Sequence, residues 1–279
     1  MFENFCKITP TNREILERGL PTDLLASFEK IYECQAEIPP NVILILIPAF
    51  NEEGSIEGVI SRVPATACGL DTRTIVINDG STDDTAERAR SAGALVLDMP
   101  RNSGQGAALK AGYLFALGNL TQFVAVVDGD GQWDPADLNE MIAPLINGNA
   151  DFSQGSRRLG STAVDDRMRN LGVEIFTRLI SWIVGVKVGD SSSGYRAYKI
   201  DTLANVRLAQ RQYQSAEILI SALCNGARLY EHPVRMSQRT AGVSKKGVNW
   251  KYGLFYLRAV LQTAIRDKYA VRLTSRRAG

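Results

Sequence analysis

The chain has 279 residues, 45% of them hydrophobic and 22% charged, so it can bury the core of one large domain or of two fused halves. Its net charge of +2 does not indicate a nucleic-acid-binding protein. The single histidine, His232, excludes a histidine-rich zinc site and any catalytic plan that needs two histidines.

Cysteine spacing and the lengths of the apolar runs predict where the protein works. The four cysteines are widely scattered and form no CxxC pair, which fits a reducing compartment. No uncharged apolar run approaches the roughly 20 residues that span a bilayer. We therefore expect a cytoplasmic protein that is either free or bound peripherally to the inner face of the membrane.

Residues 1–40 are predicted to form a separate helical extension. Thr22 can cap a helix in which Leu24, Phe28 and Tyr32 share one face, and a proline pair that starts at Pro39 ends it. The segment carries no catalytic motif, so we expect it to pack against the main domain or against a partner.

Alternating strands and helices are predicted from Val42 onward. The stretch Val42–Ile47 is unbroken apolar, as expected of a central parallel strand that is covered on both faces. Further strands are predicted at Thr74–Ile77, Leu95–Leu97 and Phe123–Val127, with a helix-length segment before each of the last two. This spacing predicts βαβ units and a mostly parallel sheet.

Polar side chains follow three of these strands. Asn51 and Glu52 come after the first strand, where Asn51 is predicted to cap a helix. Asp79 follows the second strand, and Asp128 and Asp130 follow the fourth. Asp-Gly is a common turn dipeptide, but paired carboxylates also suit a hard divalent cation. Because ligands of open α/β sheets bind at the carboxyl ends of the strands, the convergence favours a site for a metal and a diphosphate.

The second half of the chain supplies basic residues. A short strand over residues 150–156 leads into Arg157, a long amphipathic helix begins near Arg167, a helix covers residues 214–225 and a strand covers residues 228–239. Arginine can bind phosphate bidentately, so this half is predicted to place a basic wall opposite the carboxylates. A solvated surface is the alternative for each arginine taken alone.

Residues 249–279 are predicted to form an amphipathic helix and a basic tail. Aromatic side chains such as Tyr252 and Phe255 are mixed here with Lys251, Arg258 and Arg266. This mixture is typical of a helix at the interface of an anionic membrane. An ordinary helix of the domain is the alternative.

Three familiar kinds of site do not fit the sequence. There is no GxxxxGK[ST] motif of a P-loop enzyme. The segment Gly104-Gln105-Gly106 begins like a dinucleotide-binding fingerprint but lacks the third glycine. No serine has a histidine at motif spacing, which argues against a Ser-His-Asp hydrolase.

Seven motifs taken together resemble a known family. In chain order, between about Val42 and Lys246, they are PAFNEE, INDGSTDDT, NSGQGAALKAG, VVDGDGQ, QGSRR, DSSSGYRAYK and EHPVRMSQRTAGVSK. The chain resembles the family 2 glycosyltransferases, especially the dolichyl- and polyprenyl-phosphate sugar transferases such as dolichyl-phosphate mannose synthase. The resemblance implies a GT-A type, Rossmann-like three-layer α/β sandwich over residues 41–248, between the extension 1–40 and the tail 249–279.

The resemblance also implies roles for individual residues. Asp128 and Asp130 look like the DxD motif that holds Mg²⁺ or Mn²⁺ against the donor diphosphate, and Gln132 matches a further ligand of that metal. Arg157 and Arg169 would hold the acceptor phosphate, and Asp130 is expected to be catalytic as well as a metal ligand. The remaining matches would bind the nucleotide sugar, with Asp79 on the base and the last three residues over the donor phosphates: Pro48, Ala49, Asn51, Glu52, Asp79, Gly80, Ser81, Gly129, Arg239, Ser244 and Lys245.

The activity implied by the resemblance is an inverting, metal-dependent transfer of a hexose from a GDP- or UDP-linked sugar to a polyprenyl or dolichyl phosphate. Such an acceptor is already anionic, so it needs to be positioned rather than deprotonated. The two alternatives for a protein partner are a second copy of the chain and a membrane-embedded subunit.

Two alternatives stay open at this point. The acceptor could be a hydroxyl group of a glycan or of a small polar molecule, which would require a general base. Glu217 and Asp190 are the candidates for that base, and a structural carboxylate is the other interpretation of Glu217. The chain could also be a non-catalytic subunit that binds a nucleotide sugar.

Overall fold

The computed structural model of the chain describes residues 39, 41–118, 121–163, 167–206, 208–210, 213–239 and 250–277, and the side chains of residues 167–169, 250–252 and 269–277 are not described. The predicted N-terminal extension therefore lies outside the described residues, apart from Pro39. Ser244 and Lys245 lie outside them as well.

Eight strands form one mixed sheet in the order β2-β3-β1-β5-β7-β6-β8, with β4 also paired to β3. They are β1 (Val42–Ala49), β2 (Thr66–Ala67), β3 (Leu70–Asn78), β4 (Leu95–Asp98), β5 (Phe123–Val126), β6 (Phe152–Thr162), β7 (Arg196–Lys199) and β8 (Leu229–Met236). Parallel pairs join β1 to β3 and β5, β3 to β4 and β6 to β8, whereas β2 and β7 run antiparallel to their neighbours. The predicted mostly parallel sheet is confirmed.

Helices cover both faces of the sheet. They are α1 (Ile56–Ser61), α2 (Thr85–Ser91), α3 (Gln105–Gly118), α4 (Leu138–Ile146), α5 (Arg167–Val184), α6 (Ile200–Ala204), α7 (Gln214–Cys224) and α8 (Trp250–Arg277), with a short 3-10 turn at Pro135–Asp137. One apolar cluster packs five helices, α3, α5, α6, α7 and α8, against one face of the sheet. A second cluster packs α1, α2 and α4 against the other face. Strand β1 serves both clusters because its side chains alternate between the two faces, as Leu44 and Ile45 do.

The helix predicted to start at Asn51 begins later. Helix α1 starts at Ile56 with Ser55 at its N-cap position, and Asn51 has a φ of 52°. Asparagine tolerates this left-handed conformation better than most residues. The Asn51 backbone N–H donates to Ser81 Oγ at 3.0 Å, and its side-chain Oδ1 accepts from Thr82 N–H at 2.9 Å. The predicted cap is therefore wrong, because Asn51 joins the ends of β1 and β3.

The antiparallel strand β7 brings a second loop to the carboxyl end of β5. Val126, the last residue of β5, pairs with Arg196, the first residue of β7. The residues before β7 therefore lie across from those that follow β5. This places the loop 190–195 beside Asp128. We call this edge of the sheet the carboxyl rim; it consists of the segments that follow β1, β3 and β5 together with the loop 190–195.

Candidate active site at the carboxyl rim

Asp130 is buried at the carboxyl rim, where it faces the positively charged side chain of Arg239. Arg239 Nη2 lies 2.8 Å from one carboxylate oxygen of Asp130, and Arg239 Nη1 lies 3.7 Å from Glu52 Oε1. The other Asp130 oxygen accepts a hydrogen bond from Gln132 N–H at 3.0 Å. The structure therefore brings Glu52, Asp130, Gln132 and Arg239 together, and their binding of a donor stays a prediction.

Two hydrogen bonds explain how Arg239 reaches the rim. Ser237 N–H donates to the Gln132 carbonyl at 2.8 Å, and Gln132 Nε2 donates to the Ser237 carbonyl at 3.3 Å. The chain leaving β8 is thereby joined to the loop that carries Asp130. Strand β8 ends at Met236 rather than at Arg239 as predicted, which frees Arg239 to turn into the site.

Asp128 is held by residues whose role the sequence did not reveal. Gln105 Nε2 donates to one of its carboxylate oxygens at 2.9 Å. Gly194 packs so closely that a Cβ atom there would lie 2.6 Å from Asp128 Cγ and 2.7 Å from Trp133 Nε1. Only glycine leaves room for the carboxylate here. The glycine of the DSSSGYR motif was visible in the sequence, but nothing there linked it to Asp128.

The segment after β1 lies beside the loop that carries Asp128 and Asp130. Pro48 and Ala49 are the last two residues of β1. Ser55 Oγ donates to the Gly129 carbonyl at 2.8 Å, and Glu52 N–H donates to Thr85 Oγ1 at 2.8 Å. These bonds fix the backbone around Glu52 against the loop that holds the two aspartates.

Asp79 holds the neighbouring loop in place. Its two carboxylate oxygens accept hydrogen bonds from the Ser103 and Gly104 N–H groups at 2.7 and 2.8 Å. Burial raises the pKa of Asp79, and these two backbone hydrogen bonds oppose the shift. Gly80, with a φ of 66°, lies so close to this loop that a Cβ atom would be 2.5 Å from the Arg101 carbonyl carbon. The contact of Asp79 with a nucleotide base stays a prediction.

Arg157 is fixed in a buried ion pair. Its Nε and Nη2 atoms donate to the two carboxylate oxygens of Asp190 at 2.6 and 2.7 Å, and Nη2 also donates to Ser192 Oγ at 2.6 Å. The guanidinium group lies 5.8 Å from the centre of the Trp133 ring. Glu231 supports the pair by accepting hydrogen bonds from the backbone N–H groups of Gly189 and Asp190. Sequence reasoning identified Arg157 and missed the partner that orients it.

Asp190→Asn is expected to destabilise the fold by about 3 kcal/mol, because the largely buried guanidinium of Arg157 loses its carboxylate. Burial alone would raise the pKa of Asp190, but the hydrogen bonds and charge of Arg157 outweigh it and the pKa is lowered. The stabilisation is therefore present above the unfolded-state pKa of about 4 and is lost as the pH falls toward the lower folded-state pKa. Urea unfolding near neutral pH and in acid measures both effects. Equal free energies of unfolding near neutral pH would contradict the prediction.

Glu217 lies outside the rim contacts. It is buried on α7, where its carboxylate accepts from the Ala209 N–H group at 2.8 Å and pairs with Arg266 of α8 at 2.9 Å. Its bonds tie α8 to the core, which corresponds to the structural alternative rather than to a general base. Arg169 lies in the first turn of α5, and its side chain is outside the described part of the chain.

The rim fits a hard divalent cation. Asp128 and Asp130 offer carboxylate oxygens, and the guanidinium of Arg239 shows that a positive charge is accommodated beside Asp130. No group of three or more His, Cys, Asp or Glu side chains in the described residues could hold a metal. A cation at the rim would therefore need oxygens from elsewhere, as Mg²⁺ usually takes them from substrate phosphates.

Comparison with known proteins places the chain. Residues 44–206 match the family model for glycosyl transferase family 2. The chain belongs to glycosyl transferase family 2. The family 2 match runs from β1 to just after α6 and includes Asp79, Asp128, Asp130 and Arg157. The predictions of the family and of a glycosyltransferase enzyme are confirmed.

Two relatives carry names that bear on the acceptor. The dodecaprenyl-phosphate galacturonate synthase of Rhizobium johnstonii is 30% identical over 213 residues, which cover 74% of this chain and 62% of that protein. The polyprenol monophosphomannose synthase of Mycolicibacterium smegmatis is 27% identical over 230 residues, which cover 78% of this chain and 86% of that protein.

A solved structure confirms the predicted fold. The glucosyl-3-phosphoglycerate synthase of Mycobacterium tuberculosis was solved with Mn²⁺, uridine-diphosphate-glucose and glycerol 3-phosphate. It matches 86% of this chain and 82% of its own with a TM-score of 0.58 at 21% identity. At this identity the likeness shows the shared α/β sandwich.

Proposed function

We propose that the chain transfers a hexose, with inversion, from a UDP- or GDP-linked sugar to a polyprenyl or dolichyl phosphate. The observation that carries the proposal is that Asp128 and Asp130 lie at the same end of the sheet, with the guanidinium of Arg239 beside Asp130. Carboxylates and an arginine together suit a diphosphate with its counter-ion. The names of the two relatives support the lipid-phosphate acceptor.

The donor end of the site would hold Mg²⁺ or Mn²⁺ through Asp128, Asp130 and Gln132. A bound metal would act as a Lewis acid and neutralise negative charge on the departing diphosphate. Arg239 adds a second positive charge at the same place, and Gly129 lets the backbone between the aspartates pack against β1. Ser244 and Lys245 are proposed to complete the basic loop over the donor phosphates.

The acceptor end of the site would be Arg157, with Arg169 as a second cation. Asp190 occupies Nε and Nη2 of Arg157, while Nη1 has, among the described residues, a 3.6 Å contact with the sulfur of Met236. We propose that this nitrogen donates to an incoming phosphate oxygen. An anionic phosphate oxygen needs no general base, which agrees with the structural role of Glu217.

A transfer assay tests the proposal. Purified protein with Mn²⁺, polyprenyl phosphate and radiolabelled UDP- or GDP-sugars is expected to move label into butanol, and EDTA is expected to abolish the transfer. Full turnover in EDTA would refute the metal requirement. Label that stays in water and joins a glycan would favour the hydroxyl acceptor, and no product with a panel of donors and acceptors would favour the non-catalytic alternative.

A further inference from the structure

Arg239 binds the carboxylate of Asp130, the same group that is proposed to hold the cation. Its Nη2 atom lies 2.8 Å from Asp130 Oδ2, while Asp130 Oδ1 accepts the hydrogen bond from Gln132 N–H at 3.0 Å. Both carboxylate oxygens of Asp130 therefore contact a donor from the protein. A divalent cation that approaches Asp130 meets a guanidinium group at the carboxylate, and the two positive charges repel each other.

Glu52 faces the guanidinium of Arg239 from a second segment. Arg239 Nη1 lies 3.7 Å from Glu52 Oε1, and the other carboxylate oxygen of Glu52 accepts a hydrogen bond from Ser55 Oγ at 3.3 Å. The side chains of Glu52 and Asp130 are 12% and 7% exposed, so solvent screens their charges weakly. Two such carboxylates need a positive charge between them, because they would otherwise repel each other in a poorly solvated site.

The position of Arg239 in the chain allows its guanidinium to leave the two carboxylates. Arg239 lies three residues after the end of β8, outside any helix or strand, and its side chain is 21% exposed. A long arginine side chain that reaches solvent can turn toward another anion. Its planar group binds phosphate oxygens as it binds carboxylates, often through two hydrogen bonds at once. A diphosphate at the rim would therefore offer Arg239 a second partner.

Protein ligands at the rim are too few to hold a metal against this competition. Within the part of the chain that the structure describes, no group of three or more His, Cys, Asp or Glu side chains could bind a metal. Mg²⁺ usually completes its coordination with oxygens of substrate phosphates. A diphosphate would supply those oxygens and would also draw Arg239 away from Asp130. Metal and diphosphate would then strengthen each other's binding by the same factor.

We infer that Arg239 is a built-in counter-ion of Glu52 and Asp130 that the metal must displace, so the site takes up its cation together with a nucleoside diphosphate. The inference rests on the proposed nucleotide-sugar donor. The alternative is a purely structural ion pair, in which Arg239 holds the carboxylate of Asp130 in place for the metal. The two differ in sign, because loss of the guanidinium strengthens metal binding in the first case and weakens it in the second.

Titration of the full chain with Mn²⁺ tests the inference without nucleotide or acceptor, and electron paramagnetic resonance measures the free ion. Arg239→Gln is expected to bind Mn²⁺ about tenfold more tightly than the wild type, because no guanidinium competes for Asp130. Arg239→Lys keeps the positive charge, so its affinity for Mn²⁺ is expected to stay within about threefold of the wild-type value.

The same titration with saturating UDP or GDP measures the coupling between nucleotide and metal. The nucleotide is expected to tighten Mn²⁺ binding in the wild type and in Arg239→Gln, because its phosphates supply ligands to the metal. The gain should be about tenfold larger in the wild type, where the nucleotide also removes the competing guanidinium. Arg235→Gln is the matched control, since Arg235 is exposed on β8 four residues earlier, and it should match the wild type in both titrations.

The outcomes separate this inference from the proposed function. Equal or weaker Mn²⁺ binding by Arg239→Gln without nucleotide, or no binding at all, overturns the inference even when transfer to polyprenyl phosphate is intact. An equal gain from the nucleotide in the wild type and in Arg239→Gln also overturns it. Failure of transfer with the expected Mn²⁺ affinities contradicts the proposed function and leaves the displacement of Arg239 standing. Thermal unfolding shows that each variant is folded.

Discussion

Asp130→Asn is expected to lower the rate of sugar transfer by about a thousandfold. Asparagine keeps the shape of the side chain and can still accept the hydrogen bond from Gln132 N–H. It removes the negative charge that faces Arg239 at 2.8 Å and that would bind the cation. Initial rates at saturating donor and Mn²⁺ measure the loss, and the Mn²⁺ concentration needed for residual activity should rise with it.

Asp134→Asn is the matched control for this substitution. Asp134 lies four residues further along the same loop, has a half-exposed side chain, and caps the short turn at Pro135–Asp137 through the Ala136 N–H group. Asparagine caps such turns about as well as aspartate, so transfer should stay near the wild-type rate. A folded Asp130→Asn protein with full activity, or an equal loss in both variants, would remove Asp130 from the reaction.

Gly194→Ala is expected to lower transfer by about a hundredfold, through the position of Asp128 rather than through its charge. The added methyl group would stand 2.6 Å from Asp128 Cγ and 2.7 Å from Trp133 Nε1, so the carboxylate must move. Displacing a group that must meet a cation and a diphosphate costs orders of magnitude in rate. The measurement is the transfer rate over a range of Mn²⁺ concentrations, with thermal unfolding to confirm that the variant folds.

Gly172→Ala supplies the control for the alanine substitution. Gly172 lies inside α5, and its φ is not in the left-handed region. Apart from its own turn of the helix, no atom of the described residues lies within 4 Å of the place that an added methyl group would take. Alanine favours the helix there, so stability should be unchanged or slightly higher and transfer should be unaffected. Normal activity in folded Gly194→Ala would show that Asp128 tolerates the displacement.

The position of Asp79, Asp128 and Asp130 at one rim could be predicted because it depends on short-range features. Apolar strands followed by Asp79, Asp128 and Asp130 show in the sequence where the strands end, and parallel strands end at one edge. The conformation of Asn51 could not be predicted. Its hydrogen bonds with Ser81 and Thr82 replace those of a helix N-cap, and they form because the end of the neighbouring strand β3 lies beside it.

The surroundings of Asp128 and Arg157 could not be predicted, because they depend on contacts between distant segments. Nothing in the composition of the loop 190–195 indicates that β7 runs antiparallel to β5, which is what sets Gly194 against Asp128. The partnership of Arg157 with Asp190 likewise joins two loops that are 33 residues apart. Motif resemblance pointed to Arg157, while the geometry that orients it came from the tertiary fold.

The two hydrogen bonds between Gln132 and Ser237 can form only late during synthesis of the chain. These residues are separated by 105 positions, so the two aspartates leave the ribosome long before the segment that holds their loop. Contacts over such separations slow folding, and chains fold from the N-terminus as they emerge. A product that terminates early, before Ser237, would keep both aspartates and most of the sheet, but it would lack Arg239, and we expect it to be inert.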